Sequence, residues 1–215
     1  PLLEIKGKAI LDHLLEDIDA IDDVTAHVVV TNHKFIGFFR EWKKNNRLKK
    51  PITIIDDGSV DNEHRLGAVK DLILAIGNDV SNDYLVVAAD NLLDFSLKGF
   101  VEFFKEKAGS VIMCYKEPSL SALQRTGVIC VDDDNRVLEM EEKPRNPKSD
   151  LAVPPFYIYS CSDLELIKRS IENGCGFDAP GNLARYLCGR TAVFAYRMPG
   201  KRMDIGDLET YFKIR

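Results

Sequence analysis

Three β-rich apolar runs, each preceded by a helix-patterned segment, set the limits on what this chain can fold into. Ile10, Leu11, Leu14, Leu15, Ile18 and Ile21 recur at helical spacing, and the strand-like run Ala26 to Thr31 follows them. Phe35, Phe38, Phe39 and Trp42 predict a second helix, which ends in the basic, turn-prone KKNNRLKK. Pro51 to Asp56 then reads as a strand stopped by Asp57-Gly58. Val69, Leu72, Ile73 and Ile76 line a third helix that begins near Gly67. Tyr84 to Ala89 is a continuous apolar run of the kind buried on both faces of a parallel sheet. Helix and strand alternating in this way predict an α/β fold built on a doubly wound, mostly parallel, Rossmann-like sheet.

The second half changes style. A helix over Leu97 to Lys107 and a strand over Ser110 to Tyr115 are followed by two runs, Thr126 to Val131 and Arg136 to Glu141. These flank DDDN and read as a β-hairpin inserted into the α/β pattern. Phe156 to Ser160 is a further strand, Asp163 to Glu172 a helix, Asn182 to Leu187 a short helix and Thr191 to Arg197 a strand. A terminal helix starts at Asp207. No repeat or long Pro/Gly/Ser linker divides the 215 residues, so a single domain over 1–215 is expected. A sheet of this kind normally opens with a strand, whereas PLLEIKGK leads directly into a helix. Either the fold departs from the pattern or a first strand lies outside this sequence.

Composition removes several function classes. No apolar run approaches the ~20 residues a membrane span needs, and Glu4, Lys6, Lys8, Asp12 and His13 exclude a signal-peptide apolar region. A net charge of −5, with Lys and Arg spread along the chain, argues against a nucleic-acid backbone as partner. Cys114, Cys130, Cys161, Cys175 and Cys188 form no CxxC pair and have no histidine at metal-ligand spacing. They read as reduced thiols of a cytoplasmic protein. His13, His27, His33 and His64 are scattered, with no HxH, HExxH or nucleophile motif beside them.

Three acidic positions carry candidate chemistry, each beside a plainer reading. Asp90 follows an apolar strand, where open α/β sheets bind ligands, and a carboxylate there can hold Mg2+ against a phosphate. Asp is equally common as a turn residue at strand exits. Glu142, Lys143 and Pro144 end a hairpin strand. The lysine can bind an anion and the glutamate can accept from hydroxyls, while composition alone favours a solvated charged turn. Asp204 precedes Gly206 and a helix start, as a second metal carboxylate or a turn, with Asp207 capping the helix. The acidic 132–134 run superficially matches a metal-binding DxD, but a hairpin tip followed by Asn135 reads as a surface turn.

The order of these segments matters more than any one of them. PLLEIKGKAILDHLL, RLGAVKDL, AADNLLDFSL, TGVICVDDDNRVLEMEEKP and MDIGDLETY occur in one succession. With EKP at 142–144 and DIG at 204–206, the chain resembles the sugar-phosphate nucleotidylyltransferases over essentially its whole length. That family includes glucose-1-phosphate thymidylyltransferases and mannose-1-phosphate guanylyltransferases. The resemblance implies the nucleotide-diphospho-sugar transferase fold with the hairpin over the active site. It also implies joining of an NTP and a sugar 1-phosphate into an NDP-sugar and pyrophosphate. Asp90 and Asp204 are then the carboxylates holding Mg2+ on the nucleotide phosphates, and Lys143 binds the phosphate of the sugar 1-phosphate. Glu142 contacts sugar hydroxyls, Gly127 offers its backbone to the sugar, and Gly67 approaches the base or sugar side of the pocket. A cytoplasmic enzyme, often a homo-oligomer, is implied as well.

The chain also departs from the family pattern. The Gly-rich G-x-G-T-R loop after the first strand is not in this sequence, and PLLEIKGK resembles the segment following it. The expectation is an N-terminally incomplete version of an active enzyme, inactive without that loop. Ala89 replaces the glycine of the family's GD motif, Val153-Pro154-Pro155 replaces an Asn-x-Gly type segment, and Asp207 replaces a threonine. These changes leave three alternatives: a phosphocholine cytidylyltransferase-type variant, a metal-dependent glycosyltransferase, and a non-catalytic nucleotide-sugar sensor.

Overall fold

The computed structural model describes residues 1–61 and 63–214. The chain forms two compact units. The first comprises Pro1–Arg65, Ala88–Gly99 and Pro199–Arg215, and the second comprises Leu66–Val87 and Phe100–Met198.

The elements follow the sequence patterns closely. Strands β1 (Glu4–Ile5) and β2 (Lys8–Ala9) make a small antiparallel hairpin whose turn places Lys6 and Gly7 at positive φ. The helix α1 (Ile10–Asp19) buries Ile10, Leu11, Leu14, Leu15 and Ile18, the stripe its spacing predicts. Next come β3 (His27–Thr31), α2 (Ile36–Asn45), β4 (Ile52–Asp56), α3 (Ala68–Ile76) and β5 (Tyr84–Val87). After them lie β6 (Asn91–Leu93), α4 (Lys98–Glu106), β7 (Ser110–Lys116) and the single turn α5 (Leu120–Leu123). The hairpin β8 (Gly127–Val131) and β9 (Val137–Glu142) forms where the sequence places it, followed by β10 (Leu151–Val153) and β11 (Phe156–Tyr159). The chain closes with α6 (Leu164–Lys168), α7 (Gly181–Cys188), β12 (Val193–Arg197), β13 (Arg202–Asp204) and α8 (Leu208–Ile214). The expected Asp163–Glu172 helix is thus one short helix that ends at Lys168.

In the first unit, β3 and β4 pair in parallel and β6 pairs antiparallel with β13. Ile5, Ile10, Ile205 and Tyr211 form a buried cluster there. A buried hydrogen bond ties α1 to β3: His27 Nε2 lies 3.0 Å from Asp19 Oδ1, and Asp19 also accepts from the backbone N–H groups of Lys49 and Lys50.

The second unit carries a seven-stranded sheet in the order β5-β11-β7-β10-β8-β9, with β12 also pairing β7. Among the described residues this sheet is mixed and not mostly parallel. The β7–β12 ladder is parallel, whereas β5–β11, β11–β7, β7–β10, β10–β8 and β8–β9 are antiparallel. Two causes combine. The hairpin returns through β10 to pair β8, and β11 runs back between β5 and β7, which separates two strands the helix–strand alternation would place side by side. A second correction concerns β5. Its residues are half-buried and not enclosed on both faces, and among the described residues β5 ends the strand order, pairing with β11. The deepest apolar packing lies instead around Ile112, Ile129, Tyr159, Ile167 and Leu187. No helix among the described residues is long and apolar enough to cross a membrane.

Candidate functional site

In the first unit, two short strands bring Asp90 and Asp204 to one corner. The β6–β13 ladder sets Asp204 opposite Asn91, the neighbour of Asp90, and the Ile205 N–H donates to the Asp90 carbonyl at 2.8 Å. Asn91, fully buried, links the two acids. Its Nδ2 donates to Asp90 Oδ1 at 2.9 Å, and its Oδ1 accepts from Arg202 Nη1 at 2.8 Å. The same Arg202 nitrogen stands 3.4 Å from Asp204 Oδ2. Asp90 is half-buried and Asp204 exposed, so both carboxylates stay open to an incoming ion. Gly206 follows directly, and Asp207 Oδ1 accepts from the Thr210 N–H at 2.7 Å, the cap its position predicts for α8.

This donor set suits Mg2+ and not a closed structural metal site. Among the described residues no three His, Cys, Asp or Glu side chains gather as a metal cluster. Mg2+ needs only one or two protein carboxylates, its other positions being filled by water and phosphate oxygens.

In the second unit the hairpin end builds a different chamber. Glu142 stands directly across the β8–β9 ladder from Gly127. Its carboxylate is half-buried and has no hydrogen-bond partner among the described residues. Burial pushes its pKa up, and attraction to Lys143 and Arg185 only partly offsets this. Two glycines make the space. A Cβ at Gly127 would lie 3.1 Å from Glu142 Oε2, and one at Gly181 would lie 2.9 Å from Glu142 Cδ and closer still to Oε2.

Lys143 follows in a left-handed conformation, φ 51°, held by its N–H donating to the Thr126 carbonyl at 3.0 Å. A non-glycine residue in this region stores backbone strain of a kind that clusters at functional sites. Its exposed ammonium makes no hydrogen bond or ion pair among the described residues. Val153, in the segment that departs from the family pattern, pairs with Gly127, and its carbonyl accepts from Thr126 Oγ1. Gly67 lies in this unit too, with φ +96°. A Cβ there would stand 2.6 Å from the Phe177 carbonyl, and that carbonyl accepts from the Val69 N–H. Its immediate neighbour is therefore the Phe177 backbone and not Glu142.

The remaining polar candidates have structural partners. His13 contacts the Ile5 carbonyl, His33 pairs with Asp56 and His64 with Asp61. Asp132 Oδ1 accepts from the backbone of Asp134 and Arg136, and Asn135 takes φ 62°, so the acidic run is the turn its position predicts. The five cysteines are unbridged, and burial raises Cys114 to about 11 and Cys188 to about 12, which keeps both as protonated thiols. Sequence reasoning missed Asn91, Arg202, Gly181 and Arg185. Asn91 carried a weak signal, as an amide between Asp90 and two leucines.

The family model described as nucleotidyl transferase matches residues 1–215. The bifunctional protein GlmU of Methanocaldococcus jannaschii is 26% identical over 207 residues, covering 96% of this chain and 46% of the relative. A glucose-1-phosphate adenylyltransferase of Fervidobacterium nodosum is 26% identical over 139 residues, covering 63% of this chain and 34% of the relative. The chain therefore spans less than half the length of these curated relatives. A UDP-glucose pyrophosphorylase complexed with UDP-glucose shares the fold at a TM-score of 0.79 and 20% identity. The match covers 99% of this chain and 87% of that one. A UTP-bound enzyme from Acinetobacter baumannii does so at 0.75 and 14%, covering 99% and 83%. With the family model matched along the whole sequence, this chain belongs to the nucleotidyl transferase family.

Proposed function

We propose that the protein is a nucleotidylyltransferase that joins a nucleoside triphosphate to a sugar 1-phosphate, releasing pyrophosphate and an NDP-sugar. The observation that carries this is the Glu142 carboxylate. It is half-buried and, among the described residues, without a hydrogen-bond donor, beside a strained lysine whose ammonium makes no hydrogen bond or ion pair among them. A carboxylate left in that state is free to accept from a ligand, and vicinal sugar hydroxyls supply such donors. A 1-phosphate on the same sugar suits Lys143. The Fervidobacterium nodosum relative is named for acting on glucose 1-phosphate, and a structural neighbour holds UDP-glucose, which supports the same substrate class.

In bond terms, an oxygen of the sugar 1-phosphate attacks the α-phosphorus of the triphosphate, and pyrophosphate departs in line. No protein nucleophile is required. Positioning and charge neutralisation supply the rate, which agrees with the protonated thiols of Cys114 and Cys188 and the structurally engaged histidines. Glu142 orients the sugar and Lys143 its phosphate. Asp90 and Asp204 would hold Mg2+, which when bound neutralises charge on the triphosphate. Asn91 fixes the Asp90 carboxylate for that task.

The test is pyrophosphate release from an active full-length protein carrying the Gly-rich loop, with Mg2+, an NTP and a sugar 1-phosphate, compared with Asp90→Asn and Lys143→Ala. The reading expects each substitution to lower kcat/KM by about 100-fold or more. Unchanged release in both variants would reject it.

A further inference from the structure

We propose that Gly181, at the start of α7, is a positioning residue that sets the place of the Glu142 carboxylate and hence the affinity for the sugar. The proposal rests on the reading of Glu142 as the acceptor for sugar hydroxyls.

Local structure gives no reason for glycine at this position. It opens an eight-residue helix immediately after Pro180, where residues other than glycine are equally at home. Its backbone does not demand glycine either, since Gly181 is not among the positive-φ residues. What a side chain would displace is the flexible end of Glu142. A Cβ would overlap the Glu142 carboxylate, standing 2.9 Å from Cδ, and would press on Met140 Cε at 3.4 Å. Gly127 borders the same carboxylate from the opposing strand, its own absent Cβ lying 3.1 Å from Oε2 and 2.9 Å from Met140 Cε.

Two glycines from different elements thus leave one slot for one carboxylate. The slot is narrow enough that adding a single methyl group moves the carboxylate. Gly127 is already assigned to the sugar by resemblance, whereas Gly181 comes from an element that no motif marks. The helix also carries Arg185 one turn on, whose charge attracts Glu142. Residue 181 therefore controls where the acceptor oxygens sit, without contacting substrate.

The experiment is a double-mutant cycle read by direct binding. Calorimetry would measure hexose 1-phosphate and NTP binding to the unaltered protein, Gly181→Ala, Glu142→Asp and the double variant. Aspartate is one methylene shorter and withdraws from the methyl group. The proposal expects Gly181→Ala to weaken hexose 1-phosphate binding at least tenfold while NTP binding stays within twofold. In the Glu142→Asp background the same change should cost under twofold.

An equal cost in both backgrounds, or equal losses for both ligands, would overturn it by showing a merely structural role. Should Gly181→Ala fail to fold, Gly181→Ala in a Glu142→Ala background keeps the test open. That variant should fold as well as Glu142→Ala, and its failure to do so overturns the proposal. Hexose 1-phosphate binding that is indifferent to Glu142→Gln would instead overturn the acceptor reading itself.

Discussion

Asn91 accepts a hydrogen bond from Arg202 Nη1 at 2.8 Å while its own amide nitrogen donates to Asp90 Oδ1 at 2.9 Å. A fully buried side chain thereby sets the orientation of one proposed metal carboxylate and the position of the guanidinium beside the other. Asn91→Ala removes these bonds and leaves Arg202 with less to hold it. The expected loss is about 2 kcal/mol, or roughly 4–8 °C in Tm for a chain of this size. Mg2+ affinity should fall as well, read as a smaller Mg2+-induced rise in Tm than in the unaltered protein. A full-sized rise would show that Asp90 needs no such support.

The buried Asp19–His27 pair gives a pH dependence of known sign. Burial pushes the Asp19 carboxyl up, but hydrogen bonds from His27, Lys49 and Lys50 outweigh it and lower the pKa to about 2, from 3.8. A carboxyl depressed in the folded state contributes stability above its unfolded pKa and loses it as pH falls through the folded value. The contribution is about 2 kcal/mol at neutral pH and disappears between about pH 4 and pH 2. Thermal melts of Asp19→Asn should show a lower Tm at pH 7 and a flatter acid limb. An identical acid limb in both proteins would place the titrating group elsewhere.

Lys143 separates stability from activity. Its φ of 51° is unfavourable for any residue with a Cβ. Lys143→Gly should relieve roughly 1 kcal/mol of strain and hold or raise Tm, yet lower kcat/KM by about 100-fold or more. Lys143→Ala should lose similar activity without the gain in Tm. Retained activity in the glycine variant would show that the site does not use the ammonium.

Glu142 should make sugar binding sensitive to acid. Its raised pKa means that the acceptor form is lost at a higher pH than for an ordinary glutamate, so sugar 1-phosphate affinity falls as pH drops through that value. Arg185→Met removes one influence that lowers this pKa, and the acid limb should move to higher pH. Affinity profiles of the two proteins from pH 4.5 to 8 make the comparison, with ligand titration common to both. Superimposable limbs would mean that Arg185 does not act on Glu142.

Much of the fold was legible because long periodic segments report burial directly. The spacing of Ile10 to Ile18 marks α1, and the hairpin around DDDN follows from two β-rich runs and a turn. The sheet's direction was not legible, since strands such as Leu151–Val153 are too short to show a period and their pairing depends on distant partners. The same limit hid the corner that joins Asp90 to Asp204, because β6 and β13 have three residues each. Glu142 looked like a solvated turn residue. Its burial comes from Gly127 across the ladder and Gly181 almost forty positions later, and no local composition carries that information.

The most direct measurement of the central claim is product identity with Mg2+, each common NTP and a panel of sugar 1-phosphates plus phosphocholine. The account predicts that one NTP and one sugar 1-phosphate yield pyrophosphate and an NDP-sugar in equal amounts, with the yield falling sharply in Glu142→Gln. Turnover confined to phosphocholine, release of nucleoside diphosphate in place of pyrophosphate, or no turnover from a folded full-length protein that carries the Gly-rich loop and binds both substrates would contradict it.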